Sequence, residues 1–390
     1  MKSRYLSLLV VVAILATVLT GCKSDTGGNE IRIGAIQDHS GATATWGVTH
    51  NNAIIQAVED LNEQGGLLKG KKIKLIQYDF KCKVEEALTA YSRLVDQDKV
   101  VAVLGPAHSG VMMAMAPVAE DKKVPIISGA MDERSLIPGP GQVYKYHFLN
   151  QPSAYQQAEA IASYALFEMG ITKVAILYNQ GNPYAVSLAA PFAEYFMRHG
   201  GTVVANEPFQ PGTKDFRPQL TKIKQLNPEA IHVTNYLQEN ALIAQQMREL
   251  GMDMRILGNN ACNQPFAEVA GEAVDGTVYP ITMSPNDPRA QEPFAAYKER
   301  FGEEPKGGIH NVFTGHDNLM LLADAIERAG KADPEAIRDA LESSTDVDTW
   351  TCKVTIDAAT HMPIGFPLTI VEIQDGEYVI LDDAYLPVYE

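Results

Sequence analysis

The pattern that most constrains this chain is an alternation of short apolar runs with longer amphipathic stretches, which begins near residue 30. A short apolar run predicts a buried strand, and a longer stretch with helical periodicity predicts a helix. The alternation runs from residue 31 to residue 128, restarts at residue 173 and continues to residue 257. Strands that alternate with helices form βαβ units and parallel sheets. The sequence therefore predicts an α/β protein with two similar sheets in tandem.

The predicted elements have definite bounds. The strands are expected over residues 31–36, 73–79, 100–104, 124–128, 173–177, 202–208, 230–234, 255–257 and 277–282. The helices are expected over residues 47–63, 84–97, 112–121, 184–199, 216–226, 239–250, 312–329 and 334–342. A β-rich tail follows the last helix.

The chain is too long for one core, because more than 350 residues follow position 30 and single cores rarely grow beyond ~300 residues. We assign residues 30–150 and 284–345 to a first lobe, and residues 151–283 and 346–390 to a second. A chain that crosses between lobes more than once forms a hinge, and hinged lobes enclose a cleft. The expected fold is two Rossmann-like lobes with parallel central sheets and a multi-crossing hinge.

The N-terminus has the pattern of a secretory signal. Lys2 and Arg4 precede an apolar run over residues 6–19, which is short for a membrane span. The stretch LTGC that ends at Cys22 resembles the bacterial lipobox, which implies cleavage after residue 21 and a diacylglycerol on the Cys22 sulfur. Residues 22–29 are polar and glycine-rich, as a flexible tether should be. We expect the protein to be anchored to the cell-envelope membrane, facing the periplasm or the exterior, through this lipid alone.

Charge and motifs exclude several function classes. The formal net charge of −16 argues against a nucleic-acid partner. The nine histidines do not fall at metal-ligand spacings and no CxxC pair occurs, so we expect no metal site. No GxGxxG follows a predicted strand, and residues 105–110 lack the Gly-Lys-Ser/Thr ending of a phosphate loop, so we expect no cofactor.

Open parallel sheets bind ligands beyond the carboxyl ends of their strands. Four sets of residues should lie there: 37–47, 105–110, 128–132, and a set in the second lobe made of Tyr184, residues 235–236 and residues 259–260. Ser109 lies between a strand and a helix, where free N–H groups and the helix dipole favour an anion. Aromatic side chains in the same sets offer rigid apolar faces with polar tips. The loops thus predict a cleft for a small molecule that bears a carboxylate.

These residues give the chain a resemblance to the branched-chain amino-acid-binding (leucine/isoleucine/valine-binding) family of ABC importers, which has the type I periplasmic binding fold. The strings IRIGAIQDHSG, VVAVLGPAHSG, VPIISGA and GEAVDGTVY carry it in order, and it covers nearly all of the mature chain. The resemblance implies a monomeric receptor without catalysis, which captures a small ligand and delivers it to a membrane permease.

The resemblance also implies roles for individual residues. The ligand carboxylate would be held by the Ser109 hydroxyl and by backbone amides at Ala130 and Asp132. Trp46 would cover the ligand from the first lobe. Two tyrosines of the second lobe, Tyr184 and Tyr236, would close over it.

Two departures from the family bear on the ligand. Asn260 stands where the leucine-binding members have a glutamate that neutralises the ligand ammonium, and Asp132 stands where they have a threonine. If Asp132 supplies the missing charge, the ligand is a neutral or branched-chain amino acid. Alternatively, Asp132 faces a cationic, amide or hydroxylated ligand, and amides, aromatic acids and other carboxylates become candidates.

Two competing functions use a similar α/β architecture. The same fold can serve as a sensor that reports ligand occupancy to a signalling partner, and the sequence does not separate a sensor from a transport receptor. A secreted hydrolase would need a GxSxG elbow, which the sequence lacks.

The cysteines bear on stability rather than on the ligand. The disulfide partner of Cys82 in the relatives matches His108 here, so that bridge should be absent. Cys262 and Cys352 are left as a possible pair.

Overall fold

The computed structural model describes residues 29–389. The predicted signal peptide and Cys22 lie outside these described residues, as does the predicted tether except Asn29. Within residues 29–389, no helix is long and apolar enough to cross a membrane.

The first lobe is built on a parallel five-stranded sheet. Its strands are β1 (Glu30–Gln37), β2 (Lys72–Asp79), β3 (Ala102–Leu104), β4 (Ile126–Ser128) and β5 (His147–Leu149), in the order β2-β1-β3-β4-β5. The helices between them are α1 (Ala44–Glu63), α2 (Val84–Arg93, continued by a π turn over Leu94–Asp98) and α3 (Ser109–Lys122). All neighbouring strands pair in parallel, as βαβ connections require.

The second lobe repeats this arrangement. Its parallel strands are β6 (Lys173–Asn179), β7 (Thr202–Phe209), β8 (Ala230–Val233), β9 (Arg255–Leu257) and β10 (Val278–Ile281). Its helices are α4 (Ala154–Ser163), α5 (Pro183–Arg198), α6 (Arg217–Gln225), α7 (Leu237–Glu249) and α8 (Pro265–Ala270). The predicted α/β class and the two tandem sheets are confirmed.

The chain then crosses back and forth. Helices α9 (Gln291–Phe301), α10 (Ile309–Ala329) and α11 (Pro334–Glu342) follow, with a short hairpin of β11 (Val347–Asp348) and β12 (Lys353–Val354). Strands β13 (Leu368–Gln374) and β14 (Glu377–Tyr385) then extend the second sheet, in the order β14-β13-β10-β9-β8-β6-β7. Both of these last strands pair antiparallel, which forms the β-rich tail.

One predicted lobe boundary is wrong. The second lobe was expected to resume at residue 346, yet Val347, Val354 and Ile356 are buried in the same apolar cluster as Leu322 of α10 and Ile33 of β1. The hairpin covers the buried helix α10, so the second lobe resumes only at β13. The hairpin strands have two residues each, too few for their hydrophobic pattern to show on which lobe they pack.

Several elements escaped prediction for physical reasons. Strand β5 has only three residues, and eight of the ten residues of α4 are buried, polar Gln157 and Glu159 among them, so its polar positions do not mark a solvent-facing side. Helices α1 and α3 each begin three residues earlier than predicted. These earlier starts matter, because they place Trp46 and Ser109 in first helical turns.

The three cysteines within the described residues are free. Cys262 lies in the apolar cluster of the second lobe, whereas Cys352 packs against that of the first. The possible Cys262–Cys352 bridge is therefore not formed.

Four histidines among the described residues have no exposed surface, and three of them, His50, His147 and His232, share a strongly lowered pKa. Burial lowers the pKa of each imidazole from 6.5 to about 4, because the charged form would lose its hydration. His232 is held neutral between the Phe192 ring, whose centroid lies 4.0 Å away, and the Leu257 carbonyl, 2.8 Å from Nδ1.

These pKa shifts predict acid destabilisation. The unfolded chain takes up protons near pH 6.5, whereas the folded chain does so only near pH 4, so this stabilisation is present above pH 6.5 and is lost as the pH falls between those values. Replacing His232 with Gln should make the free energy of unfolding fall less steeply, by roughly 1 kcal/mol per pH unit. Urea unfolding followed by circular dichroism at pH 7, 6 and 5 measures the slope. The control is His199→Gln at a partly exposed site, and equal slopes for His232→Gln and the parent would contradict the expectation.

Candidate functional site

A cleft lies between the two lobes, with about 540 Å³ of empty space when the solvent at its open mouth is included. Its walls come from residues that closely follow parallel strands. Ser109, Met131 and Gln151 follow β3, β4 and β5, and Tyr184, Tyr236 and Asn260 follow β6, β8 and β9. The cleft thus lies where the carboxyl ends of both sheets face each other, as predicted from the loops.

Ser109 provides an anion-binding end. It is the first residue of α3 and is only 3% exposed, and its Oγ accepts a hydrogen bond from the Asp132 N–H at 3.2 Å. The first N–H groups of a helix have no partner within the helix, and the helix dipole makes this end partly positive. The preceding residue, His108, caps the helix by accepting from Val111 N–H at 3.3 Å. Ser109 is thereby left at the cleft wall.

An aromatic wall connects the lobes. The ring of Trp46, in the first turn of α1, lies 5.5 Å from that of Tyr236 across the cleft, measured between centroids. Tyr236 stacks at 5.6 Å on Tyr184, whose hydroxyl donates to Asn260 Oδ1. Burial raises the pKa of both tyrosines, so their hydroxyls stay protonated. The structure therefore brings together four of the predicted site residues and holds the lobes in contact.

Trp46 is positioned by a buried carboxylate. Asp38 accepts from Gly41 N–H at 2.6 Å and from the Thr43 N–H and hydroxyl at 2.8 and 2.7 Å. Gly47 packs on the Asp38 carbonyl, where a Cβ would lie only 2.1 Å from the oxygen. Asp38 therefore fixes the loop that begins α1, and its charge is satisfied by this loop.

Two predicted contacts differ in the structure. Ala130 and Asp132 do not line the cleft, whereas Gly129 and Met131 do, because side chains of extended backbone alternate between its two sides. The Ala130 N–H donates to Ser128 Oγ at 3.2 Å, and the Asp132 N–H donates to Ser109. Both amides expected to hold a ligand carboxylate are already bonded within the first lobe.

The Asp132 carboxylate is also occupied. It is 1% exposed and accepts from Arg134 Nε at 3.0 Å and from Arg134 Nη2 at 2.5 Å. The expectation that Asp132 supplies charge to the ligand is therefore wrong, because a partner two residues away neutralises it. The pair caps a short 3₁₀ turn that starts at Glu133.

Sequence reasoning missed four polar residues of the cleft: Gln151, Asn263, His310 and Asn311. Gln151 follows β5 and would have been found had that strand been recognised. His310 and Asn311 lie in the first turn of α10, directly after Gly308, whose φ of 87° lets the chain turn into the helix. Burial lowers the pKa of His310 to about 3, so its imidazole is neutral.

All of these lining groups are uncharged. Among residues 29–389, no Asp, Glu, Lys or Arg side chain lines the cleft. The same described range contains no group of three or more His, Cys, Asp or Glu side chains that could hold a metal ion. The cleft can therefore bind a small molecule through neutral hydrogen bonds, aromatic faces and helix ends.

The sequence matches the periplasmic binding protein family over residues 30–377, so the chain belongs to this family. It is a solute-binding protein of the ABC-transporter type and not an enzyme, which confirms both predictions. One relative is the Leu/Ile/Val-binding protein BraC3 of Rhizobium johnstonii, 29% identical over 334 residues, which cover 84% of this chain and 87% of the relative.

Solved structures agree with the fold. The leucine-binding protein LivK of Thermotoga maritima is 29% identical, with a TM-score of 0.80 over 90% of this chain and 98% of that one. LivJ of Streptococcus pneumoniae, solved in complex with isoleucine, is 28% identical, with a TM-score of 0.78 over 90% and 97%. A solute-binding protein of Rhodopseudomonas palustris, in complex with 3,4-dihydroxybenzoic acid, is 26% identical, with a TM-score of 0.77 over 92% and 99%.

Arg134 connects the two lobes. Its Nη2 donates to the Pro183 carbonyl at 3.2 Å, at the start of α5 in the second lobe, while Asp132 holds the guanidinium from the first. A second pair, Asp287 with Arg289, has the same spacing, but Arg289 donates to the Thr351 carbonyl, which belongs to the first lobe. Arg289 can therefore serve as the control when the interlobe contact of Arg134 is tested by mutation.

Replacing Arg134 with Lys should shift the lobes towards an open arrangement. Lysine keeps a charge beside Asp132 but lacks the planar fork that reaches both partners. Loss of a half-exposed hydrogen bond of about 0.5–1 kcal/mol should lower the closed-to-open ratio roughly two- to fivefold. Small-angle scattering and Trp46 fluorescence report the ratio. Arg289→Lys is the control, and identical profiles for both variants and the parent would contradict the contact's role.

Proposed function

We propose that this chain is the lipid-anchored receptor of an ABC importer, which binds a small carboxylate-bearing ligand in the cleft between its lobes. The observation that carries the proposal is Ser109 at the N-terminus of α3, facing the aromatic wall of Tyr184 and Tyr236. A hydroxyl and a helix N-terminus suit a carboxylate, and the rings suit the body of the ligand.

Closure would couple binding to transport. A ligand that touches Ser109 in the first lobe and Tyr236 in the second has its full set of contacts only when the lobes are closed. The ligand therefore stabilises the closed form to the extent that it binds the closed form more tightly than the open form. The permease would then recognise the closed receptor, which acts as a monomer outside the cytoplasm.

The leading ligand on family grounds is a neutral or branched-chain amino acid. This candidate is supported by the LivK and LivJ neighbours and by the BraC3 relative. Organic acids such as aromatic carboxylates are the second candidate. They are favoured by the uncharged cleft and by the neighbour in complex with 3,4-dihydroxybenzoic acid.

A thermal-shift screen of the mature protein from Lys23 onward, first unfolded and refolded to release bound ligand, tests the proposal. Amino acids and organic acids at about 100 times their dissociation constant should stabilise the protein by ~2.7 kcal/mol. Ser109→Ala should weaken the best ligand roughly 10- to 100-fold, because a hydrogen bond to a charged group contributes ~1.5–3 kcal/mol.

Ser344→Ala is the matched control for this substitution. It removes another buried hydroxyl of the first lobe, bonded to Arg328 and outside the cleft, and should leave affinity unchanged. Unchanged affinity in folded Ser109→Ala would exclude Ser109 from the site. A cleft that binds no compound would count against the receptor function.

Anchoring rests on Cys22, which lies outside the described residues. Cys22→Ser should release the protein from the membrane fraction and abolish incorporation of radiolabelled fatty acid. Cys82→Ser, at a cysteine inside the folded lobe, serves as the control and should stay membrane-bound. A Cys22→Ser protein that remains labelled and sedimentable would refute the lipid anchor.

A further inference from the structure

We infer that the physiological ligand is a small organic acid that carries no ammonium group, with a neutral hydrogen-bonding group such as a hydroxyl opposite its carboxylate. The inference rests on the proposed function, since it takes the cleft to bind a carboxylate. It is carried by the arrangement of helix ends around the cleft, by the lack of acidic side chains in its wall among the described residues and by one buried amide oxygen.

Residues at or beside the starts of five helices line the cleft. The lining residues include Trp46 in α1, Ser109 in α3 and Tyr184 in α5, together with Tyr236, which precedes α7, and His310 in α10. Each helix has at least 13 residues and carries roughly half a positive charge at this end. Their combined potential in a partly enclosed, poorly hydrated cleft attracts an anion and repels a cation.

Three of these helix ends have no side-chain cap. The side chains of Thr43 and Tyr236 accept no hydrogen bond from the first turns of α1 and α7, and Gly308 before α10 has no side chain, so only the backbone carbonyls of these N-cap residues accept. The first-turn amide groups that these carbonyls do not reach need a partner from outside the helix. Acceptor atoms of a ligand, such as carboxylate oxygens, meet that need, whereas an ammonium group brings only more donors.

The carboxylates on the cleft loops do not offset this potential. Asp38 is occupied by the backbone of its own loop, and Asp132 is occupied by Arg134. Among residues 29–389 no acidic side chain lines the cleft itself, and the small pocket beside it that Asp38 lines shares only Trp46 and Ala107 with the cleft. A desolvated ammonium that lacks a counter-charge is costly, so an α-amino acid would bind with one of its two charges uncompensated.

The second lobe supplies neutral groups instead. Asn263 is 2% exposed and lines the cleft, and its Oδ1 has no hydrogen-bond partner, which is a cost that a donor from the ligand would remove. Asn260 accepts from the Tyr184 hydroxyl, while its NH₂ group contacts only the Met131 sulfur, at 3.8 Å. A ligand hydroxyl can donate to Asn263 and accept from Asn260.

Matched pairs of ligands test the inference by isothermal titration of refolded protein. One pair is L-leucine and 2-hydroxy-4-methylpentanoate, and the other is L-tyrosine and 3-(4-hydroxyphenyl)propanoate. Each pair keeps the carboxylate and the side chain and differs in the ammonium group. We expect the acid without an ammonium to bind at least tenfold more tightly in any pair that binds.

Asn260→Glu provides the converse experiment. A carboxylate at this position should improve the binding of the amino acid relative to its partner by tenfold or more, and should weaken the plain acid. Asn260→Gln has the same length without the charge and controls for packing, and melting temperatures confirm that both variants fold.

The outcomes separate the inference from the function on which it rests. An amino acid that binds the parent protein as tightly as its ammonium-free partner overturns the inference and leaves the receptor function intact. Failure of every carboxylate, with or without an ammonium, overturns both.

Discussion

The electrostatic character of the cleft follows from one constraint, which is that parallel strands place the start of each following helix at the same edge of the sheet. Both lobes turn that edge towards each other, so residues at the starts of α1, α3, α5 and α7 line one space, and the first turn of α10, which follows helix α9, adds His310 and Asn311. Helix N-terminal ends contribute positive potential there, and no lysine or arginine from residues 29–389 lines the wall. Ser109 and the aromatic rings act within this field, and the buried histidines near it stay neutral.

Closure and ligand binding share the same residues. Tyr236 both lines the cleft and packs on Trp46 of the opposite lobe, and Arg134 connects Asp132 to the start of α5. A ligand therefore adds contacts to an interface that aromatic packing and the Arg134 contact already form. This arrangement lets a modest binding energy select the closed form, because only the difference in affinity between the two forms shifts the populations.

Much of this could be predicted from sequence. The alternation of apolar runs and helices predicted both sheets, and the rule that ligands bind at strand ends identified Trp46, Ser109, Tyr184, Tyr236 and Asn260 as cleft residues. The failures were interactions that a linear pattern does not carry. Asp132 pairs with Arg134 at a 3₁₀ turn. Asn263 and His310 reach the cleft from segments far apart in sequence. The β11–β12 hairpin packs on the buried helix α10, which decides the lobe to which the hairpin belongs.

The central claim is that a ligand carboxylate lies at the N-terminus of α3 in a cleft made of neutral groups. A crystal structure of the complex with the tightest-binding acid tests this most directly. The account predicts a carboxylate oxygen within about 3.2 Å of Ser109 Oγ, the body of the ligand against Tyr184 and Tyr236, and its polar end at Asn260 and Asn263. A ligand bound in the reverse orientation, with its carboxylate at Asn260, or bound outside the cleft, would contradict it.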